Sequence, residues 1–261
     1  MRETAEKITQ LRASLAGLKT LEKQVRVPLG HEAADDCLKG GLQRGVLHEV
    51  FAESGHEAAA TGFATGLAVR IAAKKSILWI RQDFSALEFG ELCATGLLEF
   101  GLDPSRILLL CVAHAEDALR AAGDALSCSA LGAVVIEIPG EVKILDLVAS
   151  RRLTLACAQK NVTAFLLRFA AKPDASTAET RWLVRATPSQ AKDENWGRPV
   201  FETDLVRNRH GRTGHWVMEW NCDDGFFREP AADRGAMVSA SCDRQVAAAL
   251  EGGANDWCSV A

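Results

Sequence analysis

Apolar side chains along this chain fall into short runs that alternate with stretches of helical spacing. After an apolar segment at 46–51, four runs are apolar almost throughout, at 77–80, 107–112, 133–136 and 162–167. Such runs are typical of strands buried on both faces of a parallel sheet. Between them, the spacing predicts helices at 57–73, 86–100, 115–127 and 142–159. The alternation predicts an α/β fold, in which helices flank a mainly parallel sheet.

The pattern changes near residue 180. Segments 181–187, 200–207 and 215–220 are consecutive strand candidates with no helical stretch between them. Glycines at 211 and 214 indicate that 208–214 is a hairpin loop. Antiparallel strands are therefore predicted at one edge of the parallel sheet.

The first 27 residues show the spacing of an amphipathic helix. Its apolar positions, three or four residues apart, are Ile8, Leu11, Leu15 and Leu18. Pro28 stops helical propagation. A single amphipathic helix ahead of a domain can pack on its own core or on a neighbouring molecule, and the spacing fits both. It is therefore a candidate protein-interaction helix.

The other end of the chain has little periodicity. Residues 223–261 are rich in Ala, Gly, Ser and Asp, a composition typical of poorly ordered segments. The predicted organisation is thus an N-terminal helix at 1–27, a core at 28–222 and a flexible acidic tail at 223–261.

Composition adds exclusions to this picture. The 261 residues are 48% hydrophobic and 25% charged, and the absence of tyrosine excludes a phenolic acid or nucleophile. None of the eight cysteines forms a Cys-x-x-Cys pair or has zinc-finger spacing to a histidine. No apolar run approaches the roughly 20 residues of a membrane span. We expect a cytoplasmic protein with reduced thiols and no membrane contact.

The net charge of −4 is an average over unlike segments. Residues 1–150 carry 15 basic and 20 acidic side chains, residues 151–220 carry 12 and 7, and residues 221–261 carry 3 and 7. Only the middle segment is basic. A basic surface there could contact phosphate or an acidic partner, although a solvated face is the commoner cause of such a bias.

A phosphate-binding loop would be expected between the segment at 46–51 and the helix that starts near residue 57. Such a loop needs glycines, a lysine for the phosphates and a Ser or Thr for Mg²⁺. The sequence at 52–60 is AESGHEAAA, with one glycine, no lysine and no hydroxyl in the required place. Glu53 and Glu57 would repel phosphate. We predict no tight binding of nucleoside triphosphate, no cofactor and no catalytic residue.

Two acidic residues stand at ends of predicted strands. Asp83 and Glu137 follow the second and fourth strands, at the edge where α/β active sites assemble. They could bind Mg²⁺, but without a phosphate loop a role in a turn or at a helix start is the more common one.

Six segments between residues 25 and 222 resemble the ImuA family, RecA-like proteins of bacterial damage-induced mutagenesis cassettes. The most specific is LDLVASRRL at 145–153, which is similar to the helix before the fifth strand of that family. The others lie at 28–30, 40–50, 100–108, 180–184 and 204–212. The resemblance implies a RecA-like core.

Departures from RecA itself are equally informative. The Gly-Lys-Thr of the ATP loop is missing, and Phe169 falls where RecA has the glutamine that senses the γ-phosphate. The stretch 169–179 is too short for a full RecA-type DNA-binding loop. By resemblance, the chain is expected to act as a non-catalytic adaptor in SOS-induced translesion synthesis. Its implied partners are an ImuB-type Y-family polymerase homologue, RecA and, indirectly, an error-prone DNA polymerase subunit.

Contact residues are predicted in the basic segment, because arginine is the usual residue for bidentate phosphate or carboxylate contacts. The candidates for a partner or single-stranded DNA are Arg151, Arg152, Arg168, Arg207, Arg209 and Arg212. Ion pairing with residues such as Asp146 is the alternative for the two helix arginines. The alternative function is a RecA-like ATPase in DNA repair, with an atypical nucleotide site that uses Glu137 and Asp83 with Mg²⁺.

Overall fold

The computed structural model describes residues 25–189 and 197–230. The predicted N-terminal helix with Ile8, Leu11, Leu15 and Leu18 lies outside the described residues, as does the chain from 231 onward. Eleven strands occur within the described ranges: β1 (Arg26–Val27), β2 (Leu42–Gln43), β3 (Leu47–Ala52), β4 (Ser76–Gln82), β5 (Ile107–Val112), β6 (Leu131–Glu137), β7 (Thr163–Phe169), β8 (Thr180–Thr187), β9 (Val200–Asn208), β10 (Gly214–Asn221) and β11 (Phe226–Arg228). The helices are α1 (Glu32–Cys37), α2 (Glu57–Ala72), α3 (Ser85–Phe89), α4 (Ala94–Glu99), α5 (Ala115–Ala125) and α6 (Leu147–Lys160), and a 3₁₀ turn spans Pro104–Arg106.

Nine strands form one sheet in the order β11-β10-β9-β8-β3-β7-β6-β4-β5, and β1 pairs with β2 separately. The six strands from β8 to β5 run parallel. Strand β8 is also antiparallel to β9, and β10 and β11 continue the antiparallel pairing. The predicted mainly parallel sheet with antiparallel strands at one edge is confirmed, as expected of a RecA-like core.

Helices cover both faces of the parallel part. Alternate residues of β7 enter different cores, with Phe165 and Leu167 packed on the α2 side and Ala164 and Leu166 on the side of α5 and α6. Both faces of the inner strands β6 and β7 are therefore buried, which is why these strands are apolar almost throughout. The prediction that the run 107–112 is buried on both faces is wrong, because β5 lies at the edge of the sheet and leaves Leu108 and Leu109 53% and 48% exposed.

The α2 core extends under the antiparallel strands through a set of aromatic contacts. Phe63 of α2 packs against Trp182, Phe201 and Phe227, with ring centroids 5.1–5.9 Å apart. Strand β11, which the sequence pattern did not predict, adds Phe227 to this core at 0% exposure. The folded core thus includes residues beyond 222.

Two predicted helices differ from the structure. The single helix predicted over 86–100 is wrong, because α3 and α4 are separate and Gly90 after α3 has a φ of +83°. The helix predicted from residue 142 begins at Leu147, because the carboxylate of Asp146 accepts a hydrogen bond from the Ala149 N–H at 2.8 Å and caps the first turn.

Candidate functional site

The loop between β3 and α2 holds the strand–loop–helix position of a phosphate-binding loop. Gly55 has a φ of +90°, and its backbone N–H donates to the carboxylate of Glu57 at 2.9 Å. Nδ1 of His56 accepts a hydrogen bond from the N–H of Ala186 at 3.1 Å. The Glu57 carboxylate therefore accepts a hydrogen bond from the Gly55 N–H just before α2. A bound phosphate would need such N–H donors to be free.

Charged side chains meet where the carboxyl ends of β4 and β6 adjoin. Arg81 donates to Oε1 of Glu137 at 3.1 Å, and Nε1 of Trp79 donates to Oε2 of Glu137 at 3.2 Å. Both Arg81 and Glu137 are buried. Each oxygen of the Glu137 carboxylate thus accepts a hydrogen bond from the protein. The guanidinium of Arg81 occupies the position beside the carboxylate that a bound Mg²⁺ would need.

The other acidic candidate lies apart from this pair. Asp83 is exposed just beyond β4, and its backbone N–H donates to the carbonyl of Val112 at 2.9 Å. Within 25–189 and 197–230, no group of three or more His, Cys, Asp and Glu side chains is arranged to hold a metal ion. Phe169 at the end of β7 is buried against Phe89, with ring centroids 5.1 Å apart.

Two of the predicted contact arginines hold loops of the fold. Arg168 is 6% exposed, and its guanidinium donates to the carbonyl of Gly140 at 2.7 Å. Burial lowers the pKa of Arg168, partly offset by Glu141 and Glu49. Arg168 therefore does not lie on the surface, as a contact residue would have to. Arg207 is half-buried and donates to the carbonyl of Ser176 at 2.7 Å.

The end of the connection from β7 to β8, residues 176–179, is held against the fold by such bonds. Arg181 donates to Ser176 Oγ at 3.1 Å and is ion-paired with Glu49 at 2.7 Å. The N–H of Thr177 donates to Ser150 Oγ at 3.2 Å. The second half of the short connection from β7 to β8 is therefore packed on the fold, whereas residues 172–175 are exposed.

The remaining arginines of the hairpin are on the surface. Arg209 and Arg212 are exposed and flank the turn between β9 and β10. The carbonyl of Arg212 accepts hydrogen bonds from the thiol of Cys37 at 2.8 Å and from Asn208 Nδ2 at 3.0 Å. These bonds fix the backbone of the hairpin and leave both guanidinium groups in solvent.

Helix α6 presents a mixed apolar and basic surface, which we call the α6 stripe: Leu147, Val148, Arg151, Arg152 and Leu155. The three apolar side chains are 51–56% exposed. Neither arginine forms an ion pair with a carboxylate of the described residues, and Asp146 instead caps the helix. The alternative of ion pairing with Asp146 is not what the structure shows.

Two curated relatives match most of the chain. They are the Protein ImuA of Caulobacter vibrioides strain NA1000 / CB15N and that of strain ATCC 19089 / CIP 103742 / CB 15. Each is 30% identical over 241 residues, which covers 85% of this chain and 93% of the relative.

The chain belongs to the ImuA family. No family model matches it. Membership agrees with the resemblance described for 25–222, and it supports involvement in damage-induced mutagenesis.

Two features of the structure were not predicted from the sequence, namely the buried Arg81 and the exposed apolar side chains of the α6 stripe. Arg81 was overlooked, although a charged residue directly after the apolar run 77–80 was an available signal. The spacing at 142–159 predicts a helix but does not show which of its faces meets the sheet, so the exposure of Leu147, Val148 and Leu155 is visible only in the structure. Among the described residues, no helix is long and apolar enough to pass through a bilayer.

Proposed function

We propose that this ImuA-family chain is a non-catalytic RecA-like adaptor in SOS-induced, error-prone translesion DNA synthesis. The observation that carries the proposal is the hydrogen bond from the Gly55 N–H to the Glu57 carboxylate. A helix start that already holds an anion of its own chain, with no lysine nearby, does not favour nucleotide phosphates.

The pairing of Glu137 with Arg81 supports the same proposal. A RecA-like ATPase with an atypical site would need Glu137 to hold Mg²⁺. To do so, the Glu137 carboxylate would have to give up its hydrogen bonds from Trp79 and Arg81. Releasing it would also leave a buried arginine without its counter-charge, which costs several kcal/mol. The adaptor therefore remains the better-supported function.

An adaptor needs a surface for its partners, and the α6 stripe is our candidate for the ImuB-type Y-family polymerase homologue. The exposed side chains of Leu147, Val148 and Leu155 surround two arginines of the same stripe. Neither arginine is ion-paired with a carboxylate of the described residues. Interfaces favour such a combination of apolar side chains and arginine. For RecA the candidate contact is the predicted N-terminal helix with Leu11 and Leu15, which lies outside the described residues. For single-stranded DNA the candidates are the exposed Arg209 and Arg212.

Nucleotide binding separates the two functions. Titration of the full chain with ATP and Mg²⁺ should give no binding at micromolar concentrations, with a competent RecA-type ATPase as the positive control. An affinity for ATP in the micromolar range that disappears in Glu137→Gln would favour the atypical ATPase.

Partner capture tests the α6 stripe directly. Full-length Arg151→Glu/Arg152→Glu should capture the ImuB-type homologue at least about tenfold less than wild type, because two attractive charges become repulsive. The matched control is Arg120→Glu, which reverses an exposed arginine on α5 that pairs with Asp117. If the double variant captures the homologue as well as wild type does, and its thermal unfolding is unchanged, the α6 stripe is not part of the interface.

A further inference from the structure

A cavity of about 280 Å³ lies between α2, the carboxyl ends of β4, β6 and β7, and the segment from α3 to α4. Its volume is close to that of ordinary small-molecule sites. Most of its lining is apolar, with the rings of Phe89, Phe100 and Phe169 among the walls. Its charged groups are Arg81, Glu91 and Glu137.

Arg81 is incompletely bonded within this cavity. It is 2% exposed, and its Nη2 donates to Glu137 and to the carbonyl of Gly90 at 2.9 Å. Its Nε and Nη1 have no hydrogen-bond partner among the described residues. The carboxylate of Glu91 at the rim lies 3.6 Å from Nη1, which is too far for a hydrogen bond. Buried donors that remain unpaired are uncommon and call for an explanation.

The charges around the cavity restrict what could satisfy those donors. Arg81 is already neutralised by Glu137, and Glu91 adds a further negative charge at the mouth. An anionic ligand would therefore meet a site with an excess of negative charge. A carbonyl oxygen on an uncharged group can accept from Arg81 without that penalty.

We propose that this cavity binds an uncharged small molecule that has an aromatic or similarly apolar ring and one carbonyl oxygen. The ring packs among Phe89, Phe100 and Phe169, and the carbonyl oxygen accepts a hydrogen bond from the free N–H groups of Arg81. The rim of the cavity includes Ala58 in the first turn of α2, but the proposed hydrogen-bond donors belong to Arg81 of β4. The proposal does not depend on the adaptor function.

Benzamide is a probe with this chemistry, and binding to the full chain can be followed by calorimetry and by protein NMR. We expect benzamide to bind in the millimolar range. Toluene, which lacks the acceptor, should bind at least about fivefold more weakly, the loss of one hydrogen bond. Benzoate should also bind at least about fivefold more weakly, because its negative charge adds to the excess carried by Glu137 and Glu91. Equal affinities of benzamide and toluene would overturn the role of Arg81 as donor.

Two variants locate the binding. Ala58→Trp places a bulky ring at the rim of the cavity and should abolish benzamide binding, whereas Ala94→Trp, on an exposed position of α4 outside the lining, should not. Arg81→Lys keeps the positive charge beside Glu137 but removes the Nε donor, and should weaken benzamide binding about fivefold. Failure of wild type to bind benzamide, or equal binding by Ala58→Trp, would overturn the proposal, and neither result bears on partner capture through the α6 stripe.

Discussion

Arg81 and Glu137 are 56 positions apart in the sequence, yet the guanidinium of Arg81 donates to the Glu137 carboxylate at 3.1 Å in the interior of the protein. The contact arises because β4 and β6 are neighbours in the sheet and end at the same level. It converts two buried charges into a neutral pair.

Removing one member of this pair should be costly. In Glu137→Gln the amide can still accept from Trp79, but the buried Arg81 keeps only the exposed carboxylate of Glu91, 3.6 Å from Nη1, as a counter-charge. We expect the free energy of unfolding to fall by about 3 kcal/mol, as measured by chemical denaturation with both far-UV and fluorescence signals.

The double variant Arg81→Met/Glu137→Gln tests whether the two residues act together. It should be more stable than the sum of the two single losses predicts, by at least about 1 kcal/mol, because it leaves no unpaired buried charge. Additive losses would show that the pair is not coupled.

Strand β11 should be required for full stability. Phe227 packs at 4.8 Å from Trp220 and 5.1 Å from Phe63, measured between ring centroids. Phe227→Ala is expected to lower the free energy of unfolding by about 4 kcal/mol. Its neighbour Phe226 is 37% exposed and stacks under Arg70 at 3.7 Å, so Phe226→Ala should cost only about 1 kcal/mol.

The same contact determines where the chain can be shortened. A version that ends after Pro230 should keep the thermal unfolding temperature of the full chain, whereas one that ends after Asn221 should unfold at a clearly lower temperature. Equal unfolding temperatures for the two versions would mean that β11 contributes little to the core.

Acidification should destabilise the protein through His48. Burial lowers the pKa of His48 from 6.5 to about 4. The ring lies between the carbonyl of Gln43, to which Nε2 donates at 2.9 Å, and the hydroxyl of Thr180 at 2.7 Å from Nδ1. The unfolded chain therefore binds a proton near pH 6.5 that the folded chain takes up only near pH 4, so stability falls as the pH drops across that window.

Between pH 7 and pH 5 this proton uptake should remove about 2 kcal/mol of the free energy of unfolding. His48→Gln does not titrate there and should lose correspondingly less over the same interval, with the remaining histidines acting equally in both proteins. A wild-type loss no larger than that of His48→Gln would contradict the assignment.

Cysteine reactivity should differ sharply between two positions. Hydrogen bonds from the backbone of Gly96 and Thr95 lower the pKa of the exposed Cys93 thiol. Burial raises the pKa of Cys157 to about 12. At neutral pH, iodoacetamide should alkylate Cys93 well before Cys157, because the thiolate is the reactive form.

Mass spectrometry of peptides from a labelling time course would give the order. The exposed Cys128 serves as a comparison that has access to solvent without the two backbone hydrogen bonds. If Cys157 were labelled as early as Cys93, its buried position in α6 would be contradicted.

Much of the fold was predictable because each segment has a pattern set by its own neighbours. The run at 133–136 indicated a buried strand, and strand β6 is there, buried on both faces. The helix over 86–100 was predicted wrongly because its spacing continues across Gly90, and only the positive φ there divides the segment. The start of α6 was misplaced because helical spacing at 142–146 outweighed the capping signal of Asp146.

The candidate contact residues were less predictable. Arg168 and Arg151 have the same chemistry in the sequence, but one is directed into the fold against Gly140 and the other into solvent. Burial of an arginine depends on which loop crosses the end of its strand, and that loop, 138–146, comes from another part of the chain.

The sequence by itself determined the alternation of strands and helices, the antiparallel edge and the loss of the phosphate-binding lysine, because each depends on residue type and local spacing. Only the tertiary structure decided that Glu137 is neutralised by Arg81, that Phe227 belongs to the core and that the arginines of α6 have no carboxylate partner in the described chain. Those outcomes depend on which strands become neighbours in the sheet, and that order follows from the packing of the whole domain.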